Sequence, residues 1–313
     1  MNELGKSKTP FVFLIDFDFQ KPLIWNWEES KKDVVWQTPK HSNFTTKKQE
    51  TKDLNWKVHP VYYGRYQKAF ELVQKHLHNG DSYLLNLTMP SDIETNHSLD
   101  EIFRISHSPY KVMLKDQFVC FSPEIFIRIE ESKISSFPMK GTIDATLANA
   151  AFILKSNTKE LAEHNTIVDL IRNDLSMVAD QVQVKKYRYL DHIKSNRNEL
   201  LQMSSQITGE LPDHYCAHIG SIIGNLLPAG SVSGAPKKKT VEIIKEAEKY
   251  DRGYYTGIFG VFDGTNLDSC VLIRYLEQEN NKLTFKSGGG ITFQSNCEQE
   301  YEELVKKVYV PFA

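Results

Sequence analysis

The stretch YKVMLKDQFVCFSPEIFIRIEESKISSF, residues 110–137, contains four short runs rich in aromatic and β-branched side chains. The runs are 110–114, 117–122, 124–130 and 133–137, and only one or two residues separate each run from the next. A parallel neighbour would need a crossover of about a dozen residues, so turns this short predict consecutive antiparallel strands. This part of the chain therefore predicts antiparallel sheet.

Further strands and separate helices are predicted around this stretch. Other strand-like runs are found at 11–18, 82–88, 254–263, 268–276 and 282–287. Helical periodicity is found at 62–78, 147–156, 158–172, 236–249 and 297–308. The polar segment 37–53 is predicted to be a mobile loop. Strands come in runs with helices between the runs, so the sequence predicts an α+β fold.

The composition is that of an ordinary soluble globular protein. The chain has 313 residues, of which 40% are hydrophobic and 25% charged, and its formal net charge is −2. We therefore expect no binding to nucleic acid or to an anionic membrane. The four cysteines lack metal-ligand spacing, and no apolar run approaches the roughly 18 residues of a bilayer span. With no apolar signal segment after Met1, a cytoplasmic protein is predicted.

Lys140, in the pentapeptide PMKGT of residues 138–142, is the most informative single side chain. It lies sixteen residues after Glu124 of the triplet SPE. A lysine beside a flexible glycine, with a glutamate in reach, can supply an amine nucleophile and a general acid. The pair alone proves little in a chain with many Lys and Glu residues, so its interpretation depends on the later segments.

Three later segments carry a resemblance to a known family. They are EHNTIVDLIRND at 163–174, PAGSVSGAPK at 228–237 and GGGI at 288–291, the last followed by Glu300 and Glu303. In this order and spacing, with PMKGT upstream, they resemble the chorismate-utilising enzymes over roughly residues 60–310. The resemblance implies one catalytic domain over 1–313, with two large antiparallel sheets flanked by helices. It also implies that residues 1–60 are a shortened N-terminal part.

Glutamates at helical spacing are the candidate metal ligands. Glu160 and Glu163 are three residues apart on one predicted helix, and Glu300 and Glu303 are three apart on another. Such pairs are most often solvent-exposed helix faces, so the spacing alone decides nothing. The resemblance implies that Glu163, Glu300 and Glu303 bind Mg²⁺, which prefers oxygen ligands and would neutralise a substrate carboxylate.

The resemblance also implies a set of substrate-binding residues. They are Arg274, Tyr255, Gly288, Gly289, Gly290, Thr142 and Lys237. Glycine backbone can approach an anion and donate N–H groups to it, whereas in isolation the triple glycine reads equally well as a hinge. The planar guanidinium of Arg274 suits a carboxylate. For Tyr255 a core aromatic on a strand is nearly as good a reading, and the lysine run at Lys237 also fits a solvated helix end.

Lys140 indicates one branch of the family. The anthranilate- and isochorismate-forming members have a small residue at this position, and ammonia or water adds to the ring directly. The resemblance implies that, with a lysine here, the amine attacks C2 of chorismate while Glu124, whose pKa should be raised, protonates the departing C4 hydroxyl. Ammonia then attacks C4 and expels the lysine, which gives 4-amino-4-deoxychorismate for 4-aminobenzoate and folate synthesis.

The chain contains no recognisable glutaminase nucleophile, since no cysteine lies in a GxCxG context. Ammonia is therefore expected from a separate glutamine amidotransferase subunit. Two departures from the family pattern bear on activity: Ala145 replaces an arginine, and Gln202 stands where aromatising members carry a histidine. Gln202 agrees with an enzyme that stops at the amino-chorismate. The alternatives are anthranilate or isochorismate synthesis, or a non-catalytic paralogue that serves as a binding or scaffold subunit.

Overall fold

The computed structural model describes residues 1–45, 53–194 and 199–311 and contains two β-sheets with helices packed on them. The helices are α1 (Asn2–Lys6), α2 (Tyr63–His78), α3 (Leu99–Ile105), α4 (Ala150–Ser156), α5 (Thr158–Ser176), α6 (Ile219–Leu226), α7 (Gly230–Ser233), α8 (Lys237–Glu248) and α9 (Cys297–Lys306). The strands are β1 (Phe11–Ile15), β2 (Leu23–Asn26), β3 (Val34–Gln37), β4 (Trp56–His59), β5 (Leu84–Thr95), β6 (Tyr110–Leu114), β7 (Phe118–Ser122), β8 (Ile125–Glu130), β9 (Lys133–Ser136), β10 (Met139–Asp144), β11 (Asp180–Lys194), β12 (Glu199–Glu210), β13 (Gly234–Ala235), β14 (Ile258–Phe262), β15 (Leu267–Val271), β16 (Tyr275–Glu279) and β17 (Lys282–Ile291).

Neighbouring strands within both sheets run antiparallel. The first sheet has the order β10-β12-β9-β8-β15-β14-β1-β2, and β11 also pairs with β12. The second has the order β13-β5-β17-β16-β7-β6-β3, and β4 also pairs with β5. The early strand β1 lies between β2 and the late strand β14, so long-range pairing holds this sheet together. The predicted α+β class with two antiparallel sheets is confirmed.

Two of the points at which the chain crosses between the sheets lie next to each other. The four strands predicted over 110–137 are present, but β6 and β7 belong to the second sheet whereas β8 and β9 belong to the first. The later pair β15 and β16 makes the opposite crossing. Phe121 N donates to Arg274 O at 3.1 Å, and Val271 N donates to Glu124 O at 3.1 Å, so backbone hydrogen bonds join the two crossings. Glu124 and Arg274 therefore lie together where the sheets separate.

Three sequence-based assignments of strands were wrong or incomplete. The strand predicted over 268–276 is two strands, β15 and β16, in different sheets. The strand predicted over 282–287 continues to Ile291, so the triple glycine lies within β17 and does not follow it. The long hairpin of β11 and β12 was not predicted, although it supplies neighbours for β10 and β9. The predicted helices 62–78, 158–172, 236–249 and 297–308 correspond to α2, α5, α8 and α9.

Helix α5 shows how local sequence positions part of the site. The Asn157 side chain accepts the N–H of Glu160 at 3.1 Å and so caps the first turn. Further along, Ile167, Val168 and Ile171 are buried against the first sheet, as the apolar periodicity predicted. This packing holds the acidic N-terminal half of α5 beside β10.

Two further findings concern the predicted loop and membrane association. In the segment predicted as a mobile loop, 37–53, Thr38 N donates to His41 O at 2.7 Å, and residues 46–52 lie outside the described residues. Within the described ranges, none of the helices has both the length and the apolar character needed to cross a membrane.

Candidate active site

Lys140 lies in a β-bulge at the edge of the first sheet. The register of β10 on β12 shifts between Met139 and Thr142, and Gly141 within the bulge has φ +81°, a conformation that favours glycine. A bulge re-aims the side chains beside it. Lys140 Nζ lies 3.1 Å from the point that a Cβ on Gly290 would occupy. The bulge therefore brings the amine from the first sheet to the glycine segment of the second.

Glu124 occupies the crossing between β7 and β8. The hydroxyl of Ser231, in α7, donates a hydrogen bond to its Oε1. Burial raises the pKa of the Glu124 carboxyl, while the Ser231 hydrogen bond and the charges of Lys140 and Lys307 act in the opposite direction. The raised pKa is the direction that a general acid at neutral pH needs.

The triple glycine presents backbone groups at an open strand edge. Thr88 on β5 lies opposite Gly288, yet its N–H donates to Glu248 at 2.8 Å and not to β17. In an antiparallel ladder this makes Gly288 and Gly290 point their N–H and C=O groups away from β5. On that side the pairing of β17 with β16 stops at Lys286, and the Lys307 amine donates to Gly288 O at 2.9 Å. The edge offers N–H donors of the kind that hold a carboxylate.

Glu300 and Glu303 face the same glycine segment from α9. A Cβ on Gly289 would lie 3.6 Å from Glu303 Oε1 and 3.7 Å from Glu300 Oε2. Glu303 Oε1 also pairs with Lys307 Nζ at 2.7 Å. No group of three or more His, Cys, Asp or Glu side chains within the described residues is placed to hold a metal ion. Mg²⁺ binding therefore stays a prediction, to which the oxygen-only donor set is suited.

The acidic face of α5 lies against the bulge of β10 that carries Lys140. Glu160 Oε2 lies 3.2 Å from the point that a Cβ on Gly141 would occupy, so this carboxylate contacts the bulge. Glu163, one turn later, is 8% exposed, and Glu300 is 5% exposed. Buried carboxylates are uncommon unless paired or coordinated. Both positions are consistent with a functional cluster.

Arg274 is held from two sides at the second crossing. Its φ is +56°, an unusual value for a residue with a side chain. Its Nη1 donates to Lys307 O at 2.7 Å, and its guanidinium lies 4.4 Å from the Tyr309 ring centre. Burial lowers the pKa of Arg274 from its usual value. Tyr255 is 3% exposed and stands in the core beside Tyr275, with ring centres 5.8 Å apart.

The contacts of Lys237 and the strand partner of Thr142 lie outside the glycine segment. Lys237 Nζ pairs with Asp174 Oδ2 at 2.8 Å and donates to Leu226 O at 2.8 Å. These bonds join the start of α8 to α5 and α6. Thr142 is exposed on β10 opposite Gln202, just past the bulge. Their predicted contact with substrate stays a prediction.

Sequence reasoning missed three side chains that the structure brings to the site. Lys307 was recognisable as the residue four positions after Glu303 on the last helix, and Ser231 lies inside the PAGSVSGAPK segment. His164 is fully buried, with Nε2 2.6 Å from Ser205 Oγ. Burial, with the charges of Arg188 and Lys140, lowers the pKa of His164 to about 4. It is therefore neutral at pH 7.

The chain matches a known family over nearly its whole length. Residues 15–312 match the family described as chorismate binding enzyme. The chain belongs to the chorismate-binding enzyme family. All of the candidate residues lie within the matched range, as do the β7–β8 and β15–β16 crossings between the sheets.

Relatives within the chorismate-binding enzyme family include proteins of several descriptions. A Haemophilus influenzae protein described as an uncharacterized PabA-like protein is 53% identical over 310 residues, which cover 99% of this chain and 94% of that protein. Aminodeoxychorismate synthase component 1 from Bacillus subtilis is 31% identical over 268 residues, covering 78% of this chain and 54% of that protein. The crystal structure of anthranilate synthase component I from Streptococcus pneumoniae TIGR4 superposes with a TM-score of 0.69 at 26% identity, covering 82% of this chain and 59% of that one.

Proposed function

We propose that this member of the chorismate-binding enzyme family converts chorismate and ammonia into 4-amino-4-deoxychorismate, a precursor of 4-aminobenzoate and folate. The observation that carries the proposal is the position of Lys140. Its amine lies beside Gly290 of the open glycine edge, and its charge acts on Glu124. A nucleophile, an acid and an anion cradle are thus adjacent. The similarity to aminodeoxychorismate synthase component 1 and to anthranilate synthase component I supports a chorismate enzyme, and Lys140 carries the choice between the two activities.

Substrate binding is assigned to the groups around the glycine edge. The N–H groups of Gly288 and Gly290 and the guanidinium of Arg274 would hold carboxylate groups of chorismate. Glu163, Glu300 and Glu303 are not grouped among the described residues so as to hold a metal ion by themselves. With a substrate carboxylate as a further ligand they would hold Mg²⁺, which would neutralise the ring carboxylate as electron density moves onto the ring.

The chemistry then follows two displacements. Lys140 first gives a proton to solvent, which it regains at the end of the cycle. Its amine then forms a bond to C2, the ring double bonds shift, and the C4–O bond breaks as Glu124 gives its proton to the hydroxyl, which leaves as water. Ammonia attacks C4, the double bonds shift back, and the C2–N bond to Lys140 breaks. The new C4 ammonium returns a proton to the Glu124 carboxylate. The lysine and the acid both end the cycle in their starting states.

Ammonia is assigned to a separate glutamine amidotransferase subunit. Glutamine hydrolysis of this type needs an activated thiolate. Cys120 and Cys270 are buried, and burial raises the pKa of both thiols. Burial also raises the pKa of the Cys297 thiol. Cys216 is half-buried next to Tyr215, away from the glycine edge. Cys120, Cys270 and Cys297 therefore have the opposite of the lowered pKa that a nucleophilic thiolate needs.

Product identification tests the proposal. The purified chain is incubated with chorismate, Mg²⁺ and an ammonium salt, and the product is identified by liquid chromatography and mass spectrometry. Formation of 4-amino-4-deoxychorismate is the expected result. Anthranilate, isochorismate or no product would overturn it, and tight chorismate binding without turnover would favour a non-catalytic subunit. With glutamine as the only nitrogen source, the isolated chain should give no product and no glutamate.

A further inference from the structure

Arg252 and Glu248 form an ion pair that is almost completely removed from solvent. Their side chains are 2% and 1% exposed. Arg252 Nη2 donates to Glu248 Oε1 at 2.7 Å, and Nε donates to Oε2 at 2.9 Å, so the contact is bidentate. Burying two charges is a poor source of stability by itself, because desolvation offsets their attraction. The other contacts of the pair therefore indicate its role.

The pair takes the place of a missing strand beside β5. Between the ends of β13 and β4, one edge of β5 has no neighbouring strand among the residues that the structure describes. There Asn86 O accepts from Arg252 Nη2 at 2.7 Å, and Thr88 N donates to Glu248 Oε1 at 2.8 Å. The next residue on this edge is Pro90, which has no N–H to satisfy. One side chain supplies the donor and the other the acceptor that a strand would have supplied.

The same two positions of β5 lie opposite the glycine segment on their other side. Asn86 lies opposite Gly290, and Thr88 lies opposite Gly288. Movement of this part of β5 would move the N–H groups to which we assign the substrate carboxylate. The ion pair is thus one strand away from the open edge.

Arg252 also reaches the helix that carries the partner of Glu124. Its Nη1 donates to Val232 O at 3.0 Å and to Thr256 Oγ1 at 3.1 Å. Val232 follows Ser231, whose hydroxyl bonds to Glu124. Together with the bonds to Glu248 and Asn86, these contacts use all five N–H donors of the guanidinium.

We propose that the buried Arg252–Glu248 pair positions the glycine edge of β17 and the Ser231–Glu124 hydrogen bond relative to each other. The inference rests on the proposed function, because it gives that edge and that acid their roles. A lysine has three donors on one atom, so it cannot supply the five hydrogen bonds that the guanidinium makes from three nitrogens. Arg252→Lys therefore keeps the charge and removes the bridging.

The experiment compares Arg252→Lys with a matched control. Asp268→Asn alters another ion pair, Arg128–Asp268 at 3.0 Å, which joins β8 and β15 within the first sheet. Folding is checked by circular dichroism and thermal unfolding, and kcat and KM for chorismate are measured with saturating ammonium. Arg252→Lys should lose at least tenfold in kcat/KM at a temperature where it is folded. Asp268→Asn should stay within threefold of the wild type.

Two readouts separate positioning from a general loss of stability. Hydrogen exchange should accelerate in residues 84–92 and 286–291 of Arg252→Lys more than in the first sheet. The basic limb of the kcat/KM profile should also move to higher pH, as in Ser231→Ala, since a weakened hydrogen bond disfavours the Glu124 carboxylate. The other groups that face Glu124, Lys140 from β10 and Lys307 after α9, are unchanged in both variants.

The outcomes distinguish this inference from the proposed function. A folded Arg252→Lys variant with wild-type kcat/KM, pH profile and exchange would overturn the inference while leaving the function intact. If the wild type forms no amino-chorismate, the proposed function fails. The positioning role is then still decided by two measurements that compare Arg252→Lys with the wild type: hydrogen exchange, and chorismate affinity by calorimetry. If Arg252→Lys does not fold, Glu248→Gln, which keeps an acceptor for Thr88 N, is measured in the same way and must show the same three changes.

Discussion

Alanine at Gly290 should impair turnover while leaving the fold intact. A Cβ there would lie 3.1 Å from Lys140 Nζ and 3.2 Å from Leu84 Cδ1, so the amine must move by a few tenths of an ångström. Because a misplacement of about 1 Å can cost about 100-fold in rate, we expect a loss of roughly tenfold in kcat/KM. Stability should not fall, since Gly290 has no positive φ and alanine in a strand is favoured over glycine by about 0.5–1 kcal/mol.

The neighbouring glycines supply the controls for this prediction. A Cβ on Gly289 would meet its nearest atoms at 3.6 Å, an ordinary contact, so Gly289→Ala should have the smaller effect on rate. A Cβ on Gly288 would lie 2.4 Å from Leu87 O, so Gly288→Ala should lower the free energy of unfolding by about 1–3 kcal/mol. Chorismate turnover with ammonium and urea unfolding measure both quantities. Full activity in Gly290→Ala, or equal losses at Gly289 and Gly290, would refute the proposed closeness of Lys140 to the glycine edge.

Three further predictions concern the nucleophile, the metal and the acid. Lys140→Ala should slow formation of 4-amino-4-deoxychorismate about 100-fold or more and keep chorismate affinity. The wild type without ammonia should show a covalent adduct at Lys140 by intact mass. An unchanged rate in the variant with no adduct on the wild type would reduce Lys140 to a structural role. Glu163→Gln and Glu303→Gln, like EDTA, should abolish turnover without unfolding, and retained activity in either variant removes the carboxylates from the site. The acid Glu124 must be protonated, so the rate should fall as pH rises through its raised pKa; Ser231→Ala should move this fall to higher pH, and a shift to lower pH contradicts the assigned hydrogen bond.

Much of the site could be predicted because its members lie in compact segments. Lys140, Glu163 and Gly290 each come from a short run whose order along the chain was sufficient to indicate the family. Ser231 and Lys307 were overlooked because their roles depend on which groups they face. A serine in a loop and a lysine at a helix end are common, and only the fold places one on Glu124 and the other on Gly288.

By itself the sequence determined the local structure and the family. Alternation and helical periodicity depend on which face of an element is buried, and this information is present in each segment. Tertiary structure alone decided which strands are neighbours. The run 110–137 is divided between two sheets at Glu124, and the continuation of β17 through the glycines depends on pairing with β5, two hundred residues earlier. Strand partners are selected by long-range packing, for which a single segment carries no signal. The junction of the β7–β8 and β15–β16 crossings, where Glu124 and Arg274 lie, therefore emerged only from the fold.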